Sequence, residues 1–296
     1  MQNINFNNIT LDKLSLQEFS AKNIEVSVLR LDKIHPEISG NKWFKLRYYL
    51  EEAKALKKKN ILTFGGAWSN HIIATAAACH LNGFESAGII RGEESPELSS
   101  TLKLVKEMGM NLIFISRDDY SKRKIPEQIN AEDFYIISEG GYGIKGADGA
   151  ATIADFFKKE NHSHICCAAG TGTMTAGLIM ASGNQNKIVA ISVLKNNFEI
   201  EQQVKSLLPE EKMKFEIVHD YHFGGYAKYD PDLIQFMNEL YRQSSIPSDF
   251  VYTGKLFYGI HDLISKDYFP SGSRLLLIHS GGLQGNASLN KGTLIF

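Results

Sequence analysis

Ile165-Cys166-Cys167-Ala168-Ala169-Gly170-Thr171-Gly172-Thr173-Met174-Thr175 reads as a buried strand, a glycine–threonine turn and the start of a helix. The first five residues are apolar without alternation, as in a strand covered on both faces. Two glycines then let the backbone turn tightly. The helix that follows, Met174 to Ala181, is expected to stop at Gly183.

The same order recurs on both sides. Upstream, Ile61 to Phe64 is a short apolar strand halted by Gly65-Gly66, and Ser69 or Asn70 caps a helix that runs to Gly83. Further strands are expected at Ala87–Ile90, Leu112–Ile115, Phe134–Ile137, Ile188–Val193 and Arg274–Ile278. Helices are expected from Trp43 through Leu56, over Leu102–Met108, Ala147–Lys158 and Asp232–Tyr241. Strands alternating with helices mean βαβ units, a mostly parallel sheet and an α/β fold. Gly140 to Gly149, with five glycines, reads as a loop where the chain crosses between domains, and Arg117 to Lys124 as a solvated charged loop. Residues 196–250 hold little readable pattern beyond the helix at 232–241.

Composition narrows the function. With 296 residues, 43% hydrophobic and 22% charged, the chain can build a large core and is not a disordered polymer. A formal charge of −1 gives no general pull towards nucleic acid or anionic membrane. No apolar run is long enough to span a bilayer, and Met1 to Thr10 lacks the pattern of a secretory signal. Cys79, Cys166 and Cys167 suit neither a disulfide framework nor a zinc site, which fits a reducing, cytoplasmic compartment. The pairs His162/His164 and His219/His222 lack companion ligands, so no metal is expected, and no GxSxG elbow marks a serine hydrolase.

Four segments can carry chemistry. In Ser39-Gly40-Asn41-Lys42-Trp43 a lysine stands at a helix start, where burial and the helix dipole disfavour its cation. Read alone, it is either an amine nucleophile or a surface lysine. Gly65-Gly66-Ala67-Trp68-Ser69-Asn70-His71 is either a plain helix cap or a ligand-contacting loop. Gly170 to Thr175 offers backbone N–H groups, hydroxyls and a helix N-terminus to a phosphate. It lacks the GK[ST] of a Walker loop, and Thr175 and Lys195 fit poorly with NAD. His279-Ser280-Gly281-Gly282 closes the last strand. On these residues alone a non-catalytic phospholigand-binding module and an NADP-binding oxidoreductase stay open.

Together the segments resemble the pyridoxal-phosphate enzymes of fold type II, the tryptophan synthase beta-like group. Within it they are similar to the family of 1-aminocyclopropane-1-carboxylate deaminase and D-cysteine desulfhydrase, over about Leu31 to Gly282. The resemblance implies two open, twisted, mostly parallel sheet domains with pyridoxal 5'-phosphate between them. Residues 1–44 and 150–296 would form the larger domain and 45–149 a smaller inserted one. Lys42 would hold the cofactor and later move protons at the substrate carbon. Asn70 would bind the ring hydroxyl. Gly170, Thr171, Gly172, Thr173 and Met174 would cradle the phosphate. Ser280, with Gly281, would face the ring nitrogen. Ser69, Asn70 and His71, next to Trp68, would meet the substrate carboxylate, and Tyr226 and Tyr252 match two active-site tyrosines.

The resemblance further implies a β-eliminating lyase that forms pyruvate, ammonia and sulfide from a small D-amino acid, acting as a homodimer. Cyclopropane deamination and elimination from another D-amino acid are the alternatives. Thr253, beside the cofactor, stands where the deaminases are expected to carry Glu, which favours elimination of a thiol. Trp68 replaces a glutamine, and Gly140-Gly141-Tyr142-Gly143 lacks the Ser-Asn expected after paired glycines. These departures bear on the substrate rather than the cofactor.

Overall fold

The computed structural model describes residues 4–182, 186–209 and 215–296. The elements run β1 (Leu11–Lys13), α1 (Gln17–Ala21), β2 (Glu25–Arg30), α2 (Asn41–Ala55), β3 (Asn60–Gly65), α3 (Asn70–Asn82), β4 (Glu85–Arg91) and α4 (Ser100–Glu107). Then come β5 (Asn111–Ile115), α5 (Arg117–Ser121), β6 (Phe134–Ile137), α6 (Ile144–Ala151), β7 (His164–Ala169) and α7 (Thr173–Ser182). The chain ends with β8 (Lys187–Ser192), α8 (Ile200–Lys205), β9 (Phe215–Val218), α9 (Pro231–Ser244), α10 (Thr253–Ser265) and β10 (Arg274–His279). The expected stop at Gly183 lies outside the described residues.

Two sheets form. One has the order β1-β2-β10-β7-β8-β9 and the other β5-β4-β3-β6. Pairing is parallel throughout except for the β1–β2 edge. Parallel strands need helical crossovers, and these cover the sheets. Thus α10 packs on β7, β8 and β10, while α3 packs on β3 and β4. One core cluster takes in Ile61 and Ile137 of the smaller sheet and Ile165, Ile188 and Leu276 of the larger. The helices α2, α6 and α7 join them through Leu46, Ala147 and Leu178.

Local chemistry accounts for the elements nearest the cleft. The Ser69 hydroxyl accepts from the N–H groups of His71 and Ile72, which caps α3, and Gly83 ends it in the left-handed region. Gly140 to Gly149 is not an open loop: a 3-10 turn over Glu139–Gly141 is followed directly by α6. Gly149 serves close helix packing. A Cβ on Gly149 would stand 1.9 Å from the Phe44 carbonyl oxygen, so α6 can lie on α2 only with glycine there. Nor is Arg117 to Lys124 a purely solvated loop. Ser116 caps α5, and Tyr120 is buried with its ring 6.2 Å from that of Phe64. Sequence reading leaves β1, α8 and β9 unmarked, because each is short, and passes over β2, which is as long as β3 and alternates polar with apolar residues over Glu25-Val26-Ser27-Val28. It also misses α10, whose Leu256, Phe257, Ile260, Leu263 and Ile264 are buried at helical spacing.

Candidate active site

Parallel strands end together, so the loops after them meet. The loops following β3, β7 and β10 carry Ser69-Asn70-His71, Gly170-Thr171-Gly172 and Ser280-Gly281, and they line one cleft of about 740 Å³. Lys42, at the start of α2, and Tyr226 and Tyr252 line it too. The cleft therefore gathers residues separated by more than 200 positions.

Gly40 makes this meeting close. Its φ is +67°, and a Cβ there would stand 1.8 Å from the Ser280 carbonyl oxygen. The Asn41 N–H donates to that oxygen at 3.1 Å, so the start of α2 is tied to the end of β10.

Lys42 Nζ donates to Asn41 Oδ1 at 2.9 Å and lies 5.8 Å from the centre of the Tyr252 ring. Burial lowers its pKa to about 8, against the opposing pull of the Asp249 carboxylate. At pH 7 about a tenth of this amine is then neutral, far more than for an ordinary lysine, and the neutral form is a nucleophile. Lys45, a turn later, is pushed well below an ordinary lysine by burial and then by Lys42. Its Nζ donates to the Gly140 carbonyl at 3.3 Å.

His71 has a defined tautomer. Thr63 Oγ1 donates to the Ile137 carbonyl at 2.8 Å, so it must accept from His71 Nε2–H at 2.8 Å. His71 Nδ1 is then a bare acceptor, buried without a partner. Burial, followed by the charges of Lys42 and Lys45, holds the ring well below its usual pKa, and therefore neutral. A bare Nδ1 does not donate to a carboxylate, and the His71 N–H is taken by Ser69 Oγ at 3.2 Å. The side-chain contact expected between His71 and a substrate carboxylate is thus not available in this tautomer.

Three expected site residues stand outside the cleft wall. Trp68 is 38% exposed in the turn before α3. Thr173 is fully buried at the start of α7, with its Oγ1 3.0 Å from that of Thr171. Thr253 is also fully buried. Its hydroxyl donates to Asp249 Oδ1 at 2.7 Å, and accepts from the Asp249 N–H at 2.7 Å. The Asp249 carboxylate in turn accepts the N–H groups of Val251, Tyr252 and Thr253 at 2.9–3.0 Å. This closed network positions Tyr252.

Sequence reasoning passes over Asp249, Lys255 and the arginines of the smaller sheet. Asp249, four residues before a helix-starting threonine, carries the signature of a side chain wrapped around its own backbone. Lys255 has no such mark. It is fully buried, donates to the carbonyls of His222 at 2.8 Å and Gly225 at 2.6 Å, and so anchors the loop that carries Tyr226.

The residues present fit a phosphorylated aromatic cofactor. Asn70 Oδ1 is buried and unpartnered beside the cleft. Gly170 and Gly172 form a cradle that side chains would fill: a Cβ would lie 3.2 Å from Tyr252 Cε1 at the first and 2.6 Å from Val204 Cγ2 at the second. Backbone N–H groups can then reach a phosphate at the N-terminus of α7. No group of acidic, cysteine or histidine residues among those described could hold a metal ion.

Known proteins agree. The family model described as pyridoxal-phosphate dependent enzyme matches residues 10–281. A putative 1-aminocyclopropane-1-carboxylate deaminase of Pyrococcus horikoshii is 30% identical, the match covering 88% of this chain and 85% of that one. The bifunctional D-cysteine desulfhydrase/1-aminocyclopropane-1-carboxylate deaminase of Arabidopsis thaliana is 28% identical over 88% of this chain and 73% of its own. A solved structure of an ACC deaminase homologue superposes with a TM-score of 0.83 at 26% identity, covering 97% of this chain and 92% of that one. O-ureido-L-serine synthase, at 14% identity and a TM-score of 0.70, shares the fold. With Lys42 and the Gly170–Gly172 turn lining one cleft, and a family match running through both, this chain belongs to the pyridoxal-phosphate dependent enzymes, in the fold type II group.

Proposed function

We propose that this lyase eliminates a β-substituent, with a thiol as leaving group, from a small D-amino acid such as D-cysteine, giving pyruvate, ammonia and sulfide. The observation that carries the reading is that Lys42 shares one cleft with the Ser69-Asn70-His71 helix start and the Gly170–Gly172 turn. When bound, pyridoxal phosphate supplies an electron sink for charge developing at the substrate Cα.

The chain's own groups do the rest. Lys42 would hold the cofactor and move the Cα proton. Gly170, Thr171, Gly172 and Met174 would grip the phosphate, Asn70 the ring hydroxyl, and Ser280 the ring nitrogen. Burial raises the phenols of Tyr226 and Tyr252, so both stay protonated and can donate to a leaving sulfur. Their rings stand 6.2 Å apart at the cleft. The Asn70 N–H at the start of α3 would receive the substrate carboxylate, since the N–H groups of His71 and Ile72 are taken by the Ser69 hydroxyl. Among the described residues Glu139 is the one carboxylate on the cleft wall, and Thr253 lies off it. That supports loss of a good leaving group over the opening of a cyclopropane, which the names of the relatives keep as the second reading.

The lobe division at residues 1–44 with 150–296 and 45–149 belongs to this reading, as does a homodimer in a reducing cytoplasm. Support for the first is that the strands of the smaller sheet all fall between residues 60 and 137. Three free, buried cysteines support the last.

The test is turnover by the cofactor-loaded protein of D-cysteine, L-cysteine, D-serine and 1-aminocyclopropane-1-carboxylate. Pyruvate with sulfide from D-cysteine is expected, and Lys42→Ala should lose both turnover and the visible absorbance of the bound cofactor. Faster 2-oxobutanoate release from the cyclopropane would replace this reading with the second one.

A further inference from the structure

We propose that the substrate carries a second anionic group at the far end of its β-substituent, received by Arg91 and Arg117. This deepens the lyase reading and rests on it.

The smaller sheet places these arginines. Arg91 is the last residue of β4, and its register partner Ile115 is the last of neighbouring β5. Arg117 begins α5 two residues later. Both line the cleft, on the side of the smaller sheet, with Arg123 and Tyr120. Arg123 is paired: its Nη1 lies 2.8 Å from Glu139 Oε2. Among the described residues neither Arg91 nor Arg117 has a carboxylate within salt-bridge distance. Arg91 and Arg117 therefore bring two cations without an ion-pair partner to the cleft wall.

Arg91 is also held in place. Its guanidinium stands 5.7 Å from the centre of the Tyr120 ring, within cation–π range, and that of the paired Arg123 stands 5.6 Å from the same ring. Arg91 Nη2 lies 3.5 Å from where a Cβ on Gly66 would be, beside the loop that leads to Ser69. Planar guanidiniums match the fork of a carboxylate, a sulfonate or a phosphate. A cysteine thiol, by contrast, has no charge to offer them and would leave this wall unused.

The substrate class is then a β-substituted alanine whose leaving group bears an acid. In its elimination the Cα proton is removed and the Cβ–S bond breaks with both electrons on sulfur, which takes up a proton. The released 2-aminoacrylate tautomerises, and water hydrolyses it to pyruvate and ammonium. The acid leaves unchanged on the thiol.

The experiment compares S-carboxymethylcysteine with its neutral isostere S-carbamoylmethylcysteine, each as both enantiomers, on cofactor-loaded protein. The carboxylate should be preferred at least about tenfold in kcat/KM, chiefly through KM, and the preference should shrink as salt rises. Arg91→Gln and Arg117→Gln should each reduce that ratio, and Arg91→Lys should reduce it less than Arg91→Gln. A ratio near one in the unaltered protein would overturn the inference. So would an equal loss on both compounds, which would place Arg91 on the α-carboxylate, or a loss of cofactor affinity with the ratio intact, which would place the arginines on the phosphate. Should neither compound be eliminated, the lyase reading fails on these substrates. Their relative binding, read from the cofactor spectrum, then decides the arginine wall: tighter carboxylate supports it, and equal binding overturns it.

Discussion

Replacing Asp249 by asparagine tests the network under Tyr252 and the charge balance at Lys42 together. The carboxylate is fully buried and accepts four donors: Val251 and Tyr252 N–H on Oδ2, Thr253 N–H and hydroxyl on Oδ1. An amide keeps one oxygen, so at least two of these bonds go, and its NH2 group then confronts donors. Hydrogen bonds to a charged group contribute about 1.5–3 kcal/mol each, so the loss should be about 3 kcal/mol or more. For a chain of this size that corresponds to a fall in Tm on the order of 10 °C. The electrostatic effect has a sign of its own. Asp249 holds the Lys42 cation up against burial, so its removal should move the Lys42 pKa below about 8. Calorimetry reads the first effect. The second is read from the pH titration of isotopically labelled, reductively methylated lysines in cofactor-free protein, with Lys42→Ala to assign the signal. An unchanged Tm would refute the network argument, and a Lys42 midpoint that rises would refute the electrostatic one.

Other outcomes follow from the same geometry. Lys255 is lowered by burial to about 8, so between pH 8 and its unfolded value near 10.4 the unfolded chain binds more protons. Stability should therefore rise with pH across that window, by an amount on the order of 3 kcal/mol from this group, and chemical denaturation of Lys255→Met should show a flatter profile. Gly40→Ala must move the Ser280 carbonyl, which stands 1.8 Å from the added carbon, and should weaken cofactor binding more than tenfold; fluorescence titration checks this. Thr253→Glu would bury a second carboxylate against Asp249, so thermal melting should show a marked loss of stability before any gain in cyclopropane opening is seen.

Much of the fold could be read from contiguous residues. The apolar runs at Ile61–Phe64 and Ile165–Ala169 are strands because parallel sheets bury both faces, and Ser69 and Gly83 bound α3 through capping chemistry that acts over a few residues. The short elements β1 and β9 were not legible, since three or four residues give no reliable period. The Gly140–Gly149 stretch misleads because glycine serves close packing as well as bending; only the position of Phe44 above Gly149 distinguishes the two.

The site divides in the same way. Lys42, the Ser69-Asn70-His71 cap and the Gly170–Thr173 turn announce themselves, since each is a local arrangement of backbone and side chain. The roles of Asp249, Lys255, Arg91 and Arg117 do not, because a charge acquires its role from what surrounds it. Asp249 bears on Lys42 across more than 200 positions of sequence, and Arg91 meets Tyr120 where two neighbouring strands end. By itself the sequence determined an α/β chain with glycine-rich turns after its strands and a lysine at a helix start. Only the tertiary structure decided which charges are buried, which are paired, and which face the cleft, because burial and Coulomb interaction depend on distance in space.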